Sequence, residues 1–188
     1  MPIHFNRFLS AAIISSGLIL SACVSTGVND TKTVAKPLNN NDYYEADYEG
    51  RIYVFDDTNT YLTFLEVGET AYRKVFIGAG PHGKTLVFGL TKEDKKKTSG
   101  IASMDMYHGK LTGADPFYGE VQTDGRIYVF NSWQDLISFK QVGEAVYRLT
   151  QIGAGPNGKT IVYVLNKSNK KQRPLALISQ FKKIHSIK

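Results

Sequence analysis

The hexapeptide "GRIYVF" at Gly50–Phe55 returns at Gly125–Phe130, 75 residues later, and this recurrence decides the architecture. The same offset superposes two further pairs of segments, which are "VGETAYR" at 67–73 on "VGEAVYR" at 142–148 and "IGAGPHGKT" at 77–85 on "IGAGPNGKT" at 152–160. From Gly50 to Lys97 the two stretches align without a gap and share 25 of 48 residues. We interpret the chain as a tandem duplication of one structural unit.

Each copy predicts the same order of elements. "RIYVF" is β-branched and aromatic and follows a glycine, which is typical of a strand. "AYRKVFIG" and "KTLVFGL", with their counterparts "VYRLTQIG" and "KTIVYVL", predict two more strands. We expect a further strand from "GIASMDMY" and from "PLALISQF". The predicted unit is therefore β-(α)-β-β with one additional strand.

The helix of this unit is predicted most clearly in the second copy. Ser132 suits an N-cap, and Trp133, Leu136 and Ile137 follow helical spacing. The first copy, "DDTNTYLTFLEV", carries threonines and a tyrosine, which favour strands. The likeness between the copies also extends upstream, where Tyr43 and Glu45 match Tyr118 and Glu120, as the printed sequence shows.

These patterns predict an α+β, β-rich fold, with an all-β fold as the alternative. A repeat of this length buries little apolar surface alone, so we expect the copies to form one pseudo-two-fold domain, packed face to face or sharing a sheet. The predicted boundaries are repeat 1 at 42–97, an inter-repeat segment at 98–116, repeat 2 at 117–172, and a basic C-terminal tail or extra strand at 173–188.

The N-terminus has the pattern of an export signal. An apolar run of thirteen residues, Phe8 to Leu20, suits the central region of a signal peptide and is too short to span a bilayer. It ends in Leu20-Ser21-Ala22-Cys23, which resembles the lipobox of bacterial lipoprotein precursors. The resemblance implies a signal peptide at 1–22 and a palmitate-type acyl anchor on Cys23. Residues 23–41 then form a flexible tether, since they lack apolar periodicity.

Further consequences follow from the resemblance. In such lipoproteins an aspartate after the lipidated cysteine retains the protein at the inner membrane, whereas this chain has Val24. We therefore expect an outer-membrane lipoprotein that faces the periplasm, with exposure at the cell surface as an alternative. A secretory signal with an incidental cysteine is the other interpretation. Cys23 is the chain's only cysteine, so it has no disulfide partner within the chain.

The two "GKT" segments have the spacing of a nucleotide-binding P-loop, with Lys84 and Lys159 as the lysines. A P-loop needs a helix directly after the motif, because the helix N-terminus cradles the phosphates. The residues that follow are β-branched and aromatic, and Pro81-His82-Gly83 is a turn signal. We reject the nucleotide-binding interpretation and predict a hairpin loop instead.

No other motif predicts catalysis, a metal or a cofactor. The histidines, His4, His82, His108 and His185, have no metal-ligand spacing. Asp105, His108 and Asp115 could serve acid–base chemistry, but their glycine-rich surroundings favour a loop. We predict no catalytic residues and no enzyme activity.

Several polar and aromatic residues occupy equivalent positions in both copies. The candidates for binding are Arg51, Arg126, Arg73, Arg148, Lys84, Lys159, Tyr72 and Tyr147. One interpretation is structural, with Glu69 and Glu144 pairing to arginines and the tyrosines in the core. The other is a pair of binding grooves with cationic and aromatic walls, suited to an anionic glycan or peptide.

Charge is distributed unevenly between the copies. Residues 42–97 hold ten acidic and eight basic side chains, whereas residues 117–172 hold four and seven. The leading functional hypothesis is a non-enzymatic envelope protein that binds an envelope protein partner or assists assembly. The alternative is a binder of peptidoglycan, lipopolysaccharide or another anionic envelope polymer through the basic second copy. Nucleic acid and nucleotide are not expected partners, because the protein is predicted to be exported.

Overall fold

Eight strands form one continuous mixed sheet in the computed structural model, which describes residues 37–187. The strands are β1 (Asp42–Tyr48), β2 (Arg51–Phe55), β3 (Arg73–Phe76), β4 (Thr85–Gly89), β5 (Tyr118–Thr123), β6 (Arg126–Phe130), β7 (Tyr147–Gln151) and β8 (Thr160–Leu165). The helices are α1 (Thr58–Val67), α2 (Ala102–Tyr107), α3 (Trp133–Val142) and α4 (Leu175–Ile184). The predicted α+β, β-rich class is confirmed, and the all-β alternative is wrong.

The strand order is β3-β4-β2-β1-β5-β6-β8-β7, so the first copy supplies one half of the sheet and the second copy the other. The halves meet where β1 and β5 pair in parallel. The two halves have the same strand register at the offset of 75. Glu45 of β1 pairs with Val54 of β2, and Glu120 of β5 pairs with Val129 of β6. A rotation about an axis along β1 and β5 would relate two halves paired in this way. Such a rotation exchanges the two faces of the sheet.

The helices follow this exchange of faces. One face packs against α1 and α4 through Tyr61, Phe64, Leu177 and Phe181, and we refer to it as the α1/α4 face. The opposite α2/α3 face packs against α2 and α3 through Ala102, Met106, Leu136 and Phe139. The first helix of one half, α1, and the first helix of the other half, α3, therefore lie on opposite faces of the sheet. Together with α4 and α2, they cover both faces.

Local signals explain where α1 and α3 begin and end. Asp57 accepts a hydrogen bond from Thr60 N at 2.8 Å, and Ser132 accepts one from Asp135 N at 3.3 Å. Gly68 and Gly143 end the two helices in the left-handed conformation that a glycine adopts without strain. The predicted helix and its Ser132 cap are confirmed, and the first copy forms the same helix despite its threonines.

The additional strand predicted for each copy is wrong, because both segments are helices. In α2, Ala102 and Met106 are buried four residues apart, and in α4, Leu177 and Phe181 are buried at the same spacing. This spacing places each pair on one side of a helix. The inter-repeat segment therefore contains α2, and the predicted tail or extra strand at 173–188 contains α4.

Strands β1 and β5 were not predicted as strands. They lie before "RIYVF" in each copy and are the two central strands of the sheet. The structured chain also begins before residue 42, because Tyr118 N donates to Asn41 O at 2.8 Å and Asn40 Nδ2 to Thr112 O at 2.8 Å. The last residues of the predicted tether are thus part of the domain. The predicted signal peptide at 1–22, Cys23 and most of the tether lie outside the described residues.

The two ends of the sheet differ in the connections they carry. All four strand-to-strand turns, at 49–50, 77–84, 124–125 and 152–159, lie at one end, which we name the hairpin end. Strand β1 begins at the opposite end, which we name the tether end. Among the helices within residues 37–187, none is long and apolar enough to cross a membrane.

Candidate functional site

The two "GKT" segments form matching hairpin loops. Strands β3 and β4 pair antiparallel, as do β7 and β8, and a 3-10 turn at Pro81–Gly83 or Pro156–Gly158 lies between them. A strand begins directly after each lysine, at Thr85 and at Thr160. The predicted hairpin is confirmed, and neither motif is followed by the helix that a P-loop requires.

The lysines of these loops contact different partners in the two halves. Lys84 forms an ion pair with Asp47 on β1. The residue equivalent to Asp47 is Gln122 on β5, and Lys159 Nζ donates to its amide oxygen at 2.6 Å. Both lysines therefore attach their hairpin loop to a central strand, but only the first is neutralised by this contact.

The arginines after the helices differ in a similar way. Arg73 Nη1 lies 2.6 Å from Glu69 Oε2, so the predicted glutamate–arginine pair is present in the first copy. Arg148 Nη1 donates to the carbonyl oxygen of Ala145 at 2.8 Å. Glu144, the counterpart of Glu69, forms no ion pair with Arg148 within residues 37–187.

Each of the predicted tyrosines is covered by a lysine from the loop that follows β4 or β8. Lys95 Nζ lies 4.7 Å from the centre of the Tyr72 ring, and Lys170 Nζ lies 4.2 Å from the centre of the Tyr147 ring. These distances are typical of cation–π contacts. Tyr72 and Tyr147 are thus part of equivalent structural contacts in both copies.

The eight candidate residues do not form one site in either half. Arg51 is paired with Thr85, the residue after Lys84, at the hairpin end. Arg73 is paired with Gly89, the last residue of β4, at the tether end. In the second half, Arg126 likewise lies at the hairpin end and Arg148 towards the tether end.

A groove on the α2/α3 face nevertheless connects Arg148 with Arg126. The groove has a volume of about 450 Å³, and it is lined by Arg148 and Thr150 of β7 and by Ile152 at the start of the hairpin loop. Arg126 and Tyr128 line it from β6, with Arg126 Nη1 3.4 Å from the Tyr128 hydroxyl. We name it the arginine groove.

Sequence reasoning missed a buried carboxylate beneath α1 and α4. Glu120 on β5 is completely buried and accepts hydrogen bonds from the hydroxyls of Tyr61 at 2.8 Å and Tyr118 at 2.5 Å. His185 Nε2 lies 2.8 Å from Glu120 Oε1 and 3.1 Å from Oε2. A carboxylate accepts a hydrogen bond from His185 in the tautomer whose hydrogen is on Nε2.

The counterpart of Glu120 in the first half is Glu45, on the opposite face of the sheet. Glu45 accepts a hydrogen bond from the Tyr43 hydroxyl at 2.7 Å and forms an ion pair with Lys140 of α3. Lys140 Nζ also lies 4.4 Å from the centre of the Tyr107 ring. Each central strand thus buries a Tyr-x-Glu pair, whose glutamate contacts histidine in one half and forms an ion pair with lysine in the other.

A chain of hydrogen bonds connects Glu120 with the hairpin end. Gln122 Nε2 donates to the Tyr61 hydroxyl at 2.6 Å, and Gln122 Oε1 accepts from Lys159. Lys159 and Gln122 line a cavity of about 300 Å³ at this end, on the α1/α4 face. We name it the Lys159 cavity.

The chemistry available along this chain is hydrogen bonding. Burial, and then the charge of Glu120, raises the pKa of Tyr61 and of Tyr118 well above the ordinary value, so both hydroxyls stay protonated donors. Glu120 and His185 are enclosed, with side-chain exposures of 0% and 2%, and do not reach the cavity. Among residues 37–187, no group of three His, Cys, Asp or Glu side chains is arranged to hold a metal ion.

One sequence signal could have located this network. Tyr118, Glu120 and Gln122 alternate along "YGEVQT", which places three polar side chains on one face of a strand. The partners Tyr61 and His185 are 59 and 65 residues from Glu120, so no local pattern indicates them.

Compared with known proteins, the chain matches no family model, no curated protein and no solved structure.

Proposed function

We propose that this chain is a non-enzymatic, lipid-anchored protein of the outer membrane whose domain binds an envelope protein partner at the hairpin end. The resemblance of Leu20-Ser21-Ala22-Cys23 to a lipobox supports the anchor. The anchor is followed by the tether, which leads to Asp42 at the start of β1. The hairpin end is the opposite end of the sheet, which suits contact with a partner away from the membrane.

The observation that carries the proposal is a set of matched, exposed apolar residues at the hairpin end. Ile77 is 89% exposed and its counterpart Ile152 is 87% exposed, each at the start of a hairpin loop. Val67 and Val142, at the ends of α1 and α3, are 66% and 70% exposed. None of the four contributes to a core cluster, yet both copies keep the same residue. Each of these side chains would add favourable apolar burial if a partner covered it.

A paired substitution tests the proposal. Ile77→Ser combined with Ile152→Ser should shift the protein, extracted from membranes in mild detergent, from a larger complex to the size of the free chain on a native gel. The matched control is Lys92→Ser with Lys167→Ser, an exposed pair in the loops that follow β4 and β8. The proposal is contradicted if the wild type migrates as the free chain, or if both variants retain the complex.

The anchor is tested separately. Cys23→Ser removes the sulfur that an acyl group would modify. The variant should therefore leave the membrane fraction or remain unprocessed, because stable membrane anchoring depends on the buried acyl chains. An unchanged distribution between membrane and soluble fractions would contradict lipidation.

A second function is favoured by the arginine groove. Arg148 and Arg126 line one groove in the second half, whereas Arg73, the counterpart of Arg148, is paired with Glu69. Asp124 and Glu144 also line the groove, and the two arginines and the Tyr128 ring supply the cationic and aromatic contacts that would suit an anionic polymer such as peptidoglycan or lipopolysaccharide.

Retention on purified sacculi tests this alternative. Binding should fall as salt rises, since salt screens exposed charges. Arg148→Met should weaken retention more than Arg73→Met. Retention that neither salt nor Arg148→Met changes would exclude the alternative.

A further inference from the structure

The Lys159 cavity has the composition of a small binding site. It lies at the hairpin end on the α1/α4 face, where the end of α1 meets the ends of β1 and β5. Ala46, Phe64 and Leu65 give it an apolar wall, and Lys159 and Asn157 contribute polar groups from the second hairpin loop. Its volume of about 300 Å³ is at the lower end of the range for small-molecule sites.

The charge of Lys159 is not neutralised within the described part of the chain. Its ammonium group donates to the Gln122 amide at 2.6 Å, and an amide carries no net charge. The equivalent Lys84 is paired with Asp47. Of the ion pairs within residues 37–187, none includes Lys159. Burial lowers the pKa of Lys159, which shows that its surroundings oppose the charged form.

An anion in the cavity would supply the charge that Asp47 supplies in the other half. The remaining walls restrict which anion fits. Three acidic residues, Asp47, Glu66 and Asp124, also line the cavity and would repel a multiply charged group such as phosphate. Arg126 is the other cationic residue of its lining, and Asp47 is already paired with Lys84. The apolar wall favours a ligand with a short hydrocarbon group next to its charge.

We propose that the Lys159 cavity binds a monocarboxylate that carries a small apolar group, with Lys159 as the residue that pairs with the carboxylate. Two sources offer this chemistry, which are a free amino acid and the C-terminal residue of a peptide. The second hairpin loop, unlike the first, is then part of a ligand site. This site does not depend on the proposed partner contacts of Ile77 and Ile152.

Titration calorimetry on the full-length protein distinguishes the sources. The probes are N-acetyl-Ala-Ala, its C-terminal amide, free alanine and inorganic phosphate. We expect N-acetyl-Ala-Ala or alanine to bind. The amide and phosphate should bind at least about tenfold more weakly, because a hydrogen-bonded charge pair changes the dissociation constant by about a factor of ten. Binding of N-acetyl-Ala-Ala alone indicates a peptide terminus, and comparable binding of alanine indicates a free amino acid. No binding of either carboxylate at millimolar concentration would overturn the proposal.

Two variants assign the site to Lys159. Lys159→Met keeps the apolar part of the side chain and should weaken carboxylate binding about tenfold. Gln122→Asp introduces the carboxylate that Lys84 meets in the first half, so it should neutralise Lys159 internally and weaken binding similarly. Lys92→Met, at an exposed lysine that does not line the cavity, is the control and should leave binding unchanged. Equal losses from Lys92→Met and Lys159→Met would contradict the assignment.

A measurement on the wild type covers the case in which either variant fails to fold. The pKa of the Lys159 amine can be followed by NMR with and without the bound carboxylate. A paired carboxylate favours the charged form, so the pKa should rise when the probe binds. A pKa that stays constant while the probe binds elsewhere would overturn the role of Lys159.

Discussion

Lys84 and Lys159 occupy the same position in two nearly identical hairpin loops, yet one meets a carboxylate and the other an amide. Glu45 and Glu120 differ in the same manner, since Lys140 neutralises the first and His185 contacts the second. The strand register is the same in both halves. The comparison teaches that the two halves share one backbone pattern and differ in the charged contacts between elements: Lys159 and Arg148, unlike Lys84 and Arg73, form no ion pair within residues 37–187.

The largest effect should come from removing the buried carboxylates. Glu120→Ala leaves the Tyr61 and Tyr118 hydroxyls and His185 without their acceptor in a dry interior, so it should lower the free energy of unfolding by about 3–5 kcal/mol. Glu45→Ala should cost about 1–3 kcal/mol, because Lys140 and Glu45 retain some exposure to water. Urea unfolding of both variants at neutral pH compares the costs. Equal costs would show that the two networks are equivalent.

An intermediate effect is expected at Asp56, whose counterpart is Asn131. Burial, followed by the charges of Asp94 and Asp57, raises the pKa of Asp56 from its ordinary 3.8 to about 6, although Ser103 N donates to the carboxylate at 3.0 Å. Between these two values the folded state binds more protons than the unfolded state, so stability falls as pH rises through this window.

Asp56→Asn copies the residue of the second half and should remove this penalty. We expect the free energy of unfolding at pH 7 to increase by about 1–3 kcal/mol, with no such gain at pH 3.5. Asn131→Asp is the control, because Asn131 is exposed and an aspartate there should change stability little at either pH. A gain from Asp56→Asn that is the same at both pH values would exclude the ionisation of Asp56 as its cause.

The smallest effect should be the same in both halves. Lys95→Met and Lys170→Met each remove an ammonium group from a tyrosine ring and should cost about 0.5–1 kcal/mol, the value for exposed cation–π contacts. Thermal unfolding of the two variants side by side measures the difference. A cost confined to one variant would show that only one of the two contacts forms in solution.

Much of the fold could be predicted because its signals are local. The β-branched "RIYVF" segments, the Ser132 cap and the turn residues at Pro81–Gly83 each act within a few residues. Strand β1 escaped prediction because "DYYEADY" is rich in acidic residues, which are depleted in strands. Its Glu45 is tolerated there only because Lys140, from another element, neutralises it.

The site was predictable only in part for a related reason. The repeat indicated Lys159 as a candidate, but nothing near Lys159 in the chain indicates that Gln122 is its partner. The amphipathic spacing in α2 and α4 was short enough to be taken for a strand. His185, which completes the buried network, lies on the segment predicted as a tail or strand.

Photo-crosslinking in intact cells tests most directly whether the hairpin end is the partner-facing end. A photoreactive amino acid would replace Ile77, Ile152, Lys92 or Lys167, one at a time. The account predicts a discrete adduct with an envelope protein at Ile77 and Ile152 and none at the two lysine positions. Adducts at Lys92 and Lys167, with none at Ile77 and Ile152, would contradict it.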